Sequence, residues 1–190
     1  GGDAKFIAKR NSISAKSAIL ALGGNDENVI SIISTESGNE INGSNVAIEV
    51  GKTKLDLIAN NGTNDIYSGN ISNVNENKYG SKVAINATSG SRVSLQANGN
   101  NVYGAVYASG STGSGENKVV TDITMDGNAN QVYSNAYITN AGGLKDKNVI
   151  SALYAQKGAH IDLNGDYNLI GTYADSNSSD LERVVWAYDT

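Results

Sequence analysis

The feature that most constrains this chain is that it repeats itself. Val46-Ala47-Ile48-Glu49-Val50-Gly51 is followed by Leu55-Asp56-Leu57 and then by Asn64-Asp65-Ile66-Tyr67. The same order returns as Val83-Ala84-Ile85-Asn86-Ala87, Val93-Ser94-Leu95 and Asn101-Val102-Tyr103, and again as Ile150-Ser151-Ala152, Ile161-Asp162-Leu163 and Asn168-Leu169-Ile170. Ile123-Thr124-Met125 and Gln131-Val132-Tyr133 supply two thirds of another copy, with Lys118-Val119-Val120 as its shortened first strand. A looser copy runs from Ala18 to Ile41, and Val184-Val185-Trp186 begins a further one. Each copy holds three short runs in which apolar and polar residues alternate, and a period of two specifies strands rather than helices. Copies recur every roughly 30 to 38 residues, which is the spacing of stacked units and too long for hairpins.

Polar segments recur once per copy: Thr35 to Ser44, Asn73 to Gly80, Ser109 to Asn117, Asn140 to Asn148 and Asp175 to Glu182. Each precedes the first strand of the next copy, so the expectation is one longer loop per turn, all on one flank. The 190 residues contain no proline, where average usage predicts roughly nine. A chain whose backbone N–H groups are nearly all engaged in ladders has no room for a residue without one. The predicted fold is therefore all-β: a single-stranded parallel β-helix, a solenoid of about five turns of three short strands at ~4.8 Å per turn. It forms one domain over residues 1–190. Val46, Ile48, Leu55, Leu57 and Ile66 are the inward set of one turn, and Val83, Ile85, Val93, Leu95 and Val102 that of the next. An asparagine before the third strand, as in Asn64-Asp65-Ile66, Asn101-Val102, Asn130-Gln131-Val132 and Asn168-Leu169-Ile170, suits a sharp corner. Its amide can bond to the turns above and below.

Composition removes several functions. With 39% hydrophobic residues and a net charge of −5, the chain has enough apolar side chain to order itself. Zero cysteine excludes a disulfide scaffold, a thiolate metal site and a cysteine nucleophile. A pI near 4.8 without a Lys/Arg cluster argues against nucleic acid as a partner. No apolar run approaches the ~18 residues of a membrane span. The opening Gly1-Gly2-Asp3 has neither a charged start nor an apolar signal core, so the chain reads as a segment excised from a longer protein.

The phrases N-x-I/V-Y and V-A-I-x-A, as in Asn101-Val102-Tyr103-Gly104-Ala105-Val106-Tyr107-Ala108, resemble the passenger regions of bacterial autotransporter adhesins. So does the combination of Asn, Gly and Ser richness with a lack of cysteine and proline. That resemblance covers most of the chain and implies a right-handed coil, exported through the outer membrane to the bacterial cell surface. It implies non-catalytic attachment to host or other cells, with a surface protein or glycan as partner, or self-association, and recognition by the once-per-turn loops. Trimeric autotransporter heads are similar over Asn45-Val46-Ala47-Ile48, but repeat at less than half the period found here.

Two outward columns carry candidate chemistry. Aligning the second strands places Lys54, Arg92, Asp122 and His160 in one column, with Asp56, Ser94, Thr124 and Asp162 two residues along. Arg92, Asp122 and His160 on adjacent turns form a conceivable acid/base trio, the basis of the alternative reading as a polysaccharide lyase, hydrolase or tailspike-like depolymerase. The preferred reading is of weak surface pairs on a solvated sheet, with no catalytic residue. Asp56 and Asp162 stand three turns, or ~14 Å, apart, beyond the ~5 to 9.5 Å of a glycosidase carboxylate pair. Gly23-Gly24-Asn25-Asp26 has the composition of a calcium-binding nonapeptide turn but occurs once, and Asp180 with Glu182 lacks compelling spacing, so no metal or cofactor is expected. Tyrosines recur at the third strand: Tyr67, Tyr103 with Tyr107, Tyr133 with Tyr137, and Tyr173. Tyr103, Tyr107, Tyr133 and Tyr137 are the expected ligand-binding strip, provided no corner falls between the members of each pair.

Overall fold

The computed structural model describes residues 1–69, 80–139, 148–172 and 181–188. It is all-β. Two long strands come first, β1 (Asp3–Leu22) and β2 (Asn28–Gly51). Then follow β3 (Thr53–Ala59), β4 (Thr63–Ser68) and β5 (Val83–Thr88), and β6 (Arg92–Gln96), β7 (Gly99–Tyr103) and β8 (Ala105–Ser109). A small excursion, β9 (Ser111–Thr112) and β10 (Val119–Val120), precedes β11 (Asp122–Asp126), β12 (Ala129–Ser134), β13 (Tyr137–Thr139) and β14 (Asn148–Gln156). The chain closes with β15 (His160–Asn164), β16 (Tyr167–Thr172) and β17 (Leu181–Tyr188). Fifteen of these strands make one curled mixed sheet, and β9 with β10 make a second.

The repeats pair with one another in three parallel banks. The second-strand bank runs from the start of β1 through the start of β2 to β3, β6, β11 and β15. The third-strand bank runs through the middles of β1 and β2 to β4, β7, β12 and β16. The first-strand bank takes the ends of β1 and β2, then β5, β8, β14 and β17. Alternation decides which side chains face the enclosed side. Leu55, Leu57, Ile66, Ile85, Leu95, Val102, Ile123, Met125 and Val132 are fully buried in one continuous core. Of the ten residues expected to point inward, eight join that core; Val46 is buried outside it, and Val83 does not join it. A register shift between Val83 and Ile85 turns it to the other side of the sheet.

The structure corrects the expected coil in several places. The sheet is mixed, because β13 runs antiparallel to β14 and β10 antiparallel to β9, and its form is a curled half-barrel. β1 and β2 are continuous strands of 20 and 24 residues, so Thr35 to Ser44, expected as a loop, is ladder. Val119–Val120 is no first strand, since it pairs locally with Ser111–Thr112. Ala105–Ser109 takes that place, because Gly104, at φ +136°, turns a corner immediately after Tyr103. The connections therefore do not share one flank: β4 to β5 joins third bank to first, whereas β8 to β11 joins first to second. Asp3–Ala15, which has no recognisable phrase, adds strand to two banks.

The corner between second and third banks is held by an unbroken row of asparagine amides. Each Nδ2 donates to the Oδ1 of the next layer: Asn11 to Asn39 at 2.9 Å, Asn39 to Asn64 at 2.8 Å, Asn64 to Asn100 at 2.9 Å, Asn100 to Asn130 at 2.8 Å and Asn130 to Asn168 at 2.9 Å. The second amide hydrogen goes to a backbone carbonyl, as from Asn39 to Ile58 and from Asn100 to Asp126. Asn39, Asn64, Asn100 and Asn130 are buried, and a buried amide persists only when paired in this way. The ladder member of its layer is Asn100, not Asn101 as the phrase suggested. Asn101 points outward and donates to Asp65 Oδ1 at 2.7 Å.

Candidate functional site

The outward column of the second bank has the register expected of it: Lys54 pairs with Arg92, Arg92 with Asp122, and Asp122 with His160. Register does not bring the groups together. Lys54 Nζ reaches Asp56 Oδ2 at 3.3 Å on its own strand. Thr124 Oγ1 donates to Asp122 Oδ2 at 3.4 Å, and Asp122 Oδ1 is buried without a partner. Arg92 and His160 are exposed and make no ion pair with Asp122 among the described residues.

The tyrosines divide into two strips rather than one. On the third bank, Tyr67 and Tyr103 stack with ring centroids 5.0 Å apart and planes 5° apart, and Tyr133 continues the stack at 6.4 Å from Tyr103. Parallel strands in register impose this ladder, because each layer presents the same outward position. Ring faces cover one another, so edges and hydroxyls are what the strip offers to solvent. Burial first, and the Asp65 carboxylate second, push the Tyr67 phenol up to about 12. Burial, Asp65 and Tyr133 raise Tyr103 in the same direction. The two phenols thus stay neutral hydrogen-bond donors across the physiological range. Beside them Asp65 accepts from Thr63 Oγ1 at 2.8 Å as well as from Asn101.

Tyr107 belongs elsewhere, since the Gly104 corner moves it to the first bank. There its ring lies 5.3 Å from Tyr154, and Tyr154 lies 5.0 Å from Trp186, with the Arg183 guanidinium 5.2 Å from the Trp186 ring. Gln156 links the strip, accepting from Tyr154 Oη at 2.8 Å and donating to Tyr107 Oη and to Ser109 Oγ. Tyr154 is 1% exposed, because Ala136 and Ile138 pack over it. Tyr137 is half exposed on β13. Of the four expected residues, Tyr103 and Tyr133 share a strip with Tyr67, and Tyr107 does not belong to it. Tyr154 and Trp186 are not among the four expected residues, although Tyr154 has the outward parity of Tyr107, one residue after inward Leu153.

Tyr173, Asp180, and the loop residues 73–79, 140–147 and 175–180 lie outside the described residues. Among the described residues no three His, Asp or Glu side chains group to hold a metal ion, and no helix is long and apolar enough to cross a membrane. The chain matches no family model, no curated protein and no solved structure.

Proposed function

We propose that this chain is a segment of a bacterial cell-surface adhesin: a right-handed parallel β-helix that works as a non-catalytic, surface-displayed rod and binds a surface glycan along its side. The observation that carries the reading is the phenol ladder Tyr67–Tyr103–Tyr133 with Asp65 and Asn101 alongside. It sets a hydroxyl at one repeat per layer, with the Asp65 carboxylate on β4 and the Asn101 amide on β7 beside it. Sugars are recognised by such arrays, in which many modest hydrogen bonds meet the edges of a polar ligand against a partly apolar surface. In-register pairing of the repeats, and an interior given over to apolar columns and the amide row, support the rod. A rod of that construction leaves its outer faces free to vary.

The test is a glycan array probed with the 190-residue chain beside a panel of surface proteins, with the same glycans assayed for cleavage. Saturable glycan binding without cleavage is expected, and Tyr103→Ala with Asn101→Ala should weaken it at least tenfold. Cleavage that disappears in Asp122→Asn or His160→Ala would replace the reading with a saccharide depolymerase. Binding to a protein alone would refute the glycan, and silence in every arm would refute adhesion by this segment.

A further inference from the structure

A second column flanks the phenol ladder, and the two together make a strip with a direction, a repeat and a length. Two residues before each ladder position stands a polar side chain: Glu40 before Asn42, Asp65 before Tyr67, Asn101 before Tyr103 and Gln131 before Tyr133. These pairs stand in register across β2, β4, β7 and β12. A spacing of two puts both members of a pair on the same face of the sheet. Asp65, Asn101, Gln131 and the three tyrosines are all partly exposed there. The pattern stops inside the stack: β16 carries Leu169 and Gly171 at the two positions, and β1 carries Ser12 and Ser14.

Each layer thus repeats a pair of hydrogen-bonding groups at about 4.8 Å along the stack. A ligand that engages every pair must be linear, run across the strands, and present its own polar groups at that interval. An extended β-1,4-linked hexopyranose chain does so, because it advances by close to one layer spacing per sugar. An α-1,4-linked chain coils away from a straight row, and a branched glycan cannot follow one. Since the tyrosine faces cover one another, the sugar ribbon meets the strip edge-on through its hydroxyls. Successive sugars in such a ribbon are turned over, so alternate layers meet opposite edges of the ring. Groups that both donate and accept tolerate that alternation, and the phenols and the Asn101 and Gln131 amides are of this kind.

Charge narrows the ligand further. On the described third-bank strands the charged side chains are Arg10, Glu40 and Asp65, and Arg10 is paired with Glu40. Asp65 accepts from two neutral donors, Thr63 Oγ1 and Asn101 Nδ2. Among the described residues these strands therefore keep a net negative charge and offer no unpaired cation to a uronate or a sulfate.

We propose that this strip takes an uncharged, extended β-1,4-linked polysaccharide, laid along the stack with one sugar to each of the layers of β2, β4, β7 and β12. The inference rests on the glycan reading of the same strip and adds to it the linkage, charge and direction of the chain.

Isothermal titration calorimetry of the 190-residue chain with β-1,4-linked oligomers of glucose, mannose and N-acetylglucosamine, from one to about six sugars long, tests it. For at least one series Kd should fall about fivefold per added sugar up to about four sugars and level off beyond. α-1,4-linked glucose oligomers and β-1,4-linked oligouronates of equal length should bind at least about tenfold more weakly. Tyr103→Phe keeps the ring stack and removes the central hydroxyl, so it should weaken the longest oligomer about fivefold. Tyr133→Phe should make the plateau arrive one sugar earlier. Equal affinity for α- and β-linked chains, or no gain with length, would overturn the one-sugar-per-layer register and leave the glycan reading standing. Tighter binding of the uronates would overturn the charge argument, and full affinity in both tyrosine variants would overturn the strip as the site. Binding to other glycans with none to the three β-1,4-linked series would sink this proposal alone, whereas no binding to any glycan would sink both.

Discussion

Replacing Asn100 by alanine removes one rung from the middle of the amide row. The side chain is fully buried. It accepts from Asn64 Nδ2 at 2.9 Å and donates to Asn130 Oδ1 at 2.8 Å and to the Asp126 carbonyl at 3.1 Å. Three bonds at about 1 kcal/mol net each set a base of about 3 kcal/mol. Asn64 Nδ2 keeps the Leu57 carbonyl at 3.0 Å, but Asn130 Oδ1 is left buried with no side-chain donor, which adds roughly 1 kcal/mol or more. The expected loss is about 4 kcal/mol, and with a urea slope of about 2 kcal/mol/M the midpoint should fall by about 2 M.

Asn168→Ala is the control, because the same chemistry sits at an exposed end. Asn130 Nδ2 retains the Asn164 carbonyl at 3.1 Å and water replaces what else is lost, so the cost should stay below about 1 kcal/mol. Layered repeats can lose cooperativity when an interior layer is weakened, so amide hydrogen exchange should be followed in β4, β7 and β12 beside the urea curve. Equal shifts for the two variants would refute the idea that buried amide pairing, rather than side-chain shape at a corner, holds this bank together. A loss below about 1 kcal/mol at Asn100 would refute it as well.

Three further outcomes follow from the packing. Tyr67 has its phenol raised in the folded state from 10 to about 12, so its contribution is fully present below pH 10 and is lost as pH rises from there through about 12. Discounted for a half-exposed ring, that is roughly 1 kcal/mol, and Tyr67→Phe should flatten this limb of a stability-against-pH curve. Gly104→Ala should cost more than about 3 kcal/mol in chemical denaturation, since its Cβ would lie 2.0 Å from Ser68 Oγ and 2.6 Å from the Lys82 carbonyl at φ +136°, a conformation L side chains resist. Met125→Ala, fully buried between Leu95 and Leu163 in its column, should cost about 2 to 5 kcal/mol in the same assay.

Much of the local structure was legible in the residues. Leu55-Asp56-Leu57, Val93-Ser94-Leu95, Ile123-Thr124-Met125 and Ile161-Asp162-Leu163 announce strand, register and facing at once, and the pairing of Lys54 with Arg92, Asp122 and His160 follows from aligning them. The candidate site was legible only in part. Tyr67, Tyr103 and Tyr133 recur at one repeat position and do stack. Tyr107 follows Tyr103 by four residues with the same parity, and nothing short of locating the corner at Gly104 separates them. Ile138, from an irregular stretch with no repeat phrase, buries Tyr154.

Sequence by itself determined that the described residues are built on strands, which side chains of most runs turn inward, and that one copy lies beside the next. Those properties are carried by neighbours one and two residues apart, where the pleat gives period two. Tertiary structure alone decided which bank a run joins, where the corners fall and which outward face is covered. Ala105–Ser109 pairs with β5 about twenty residues earlier and with β14 almost fifty residues later, while Val119–Val120 satisfies itself on Ser111–Thr112. Both are short apolar runs with the same local preference, and the choice between them is made by the partner edge each can reach when the core closes.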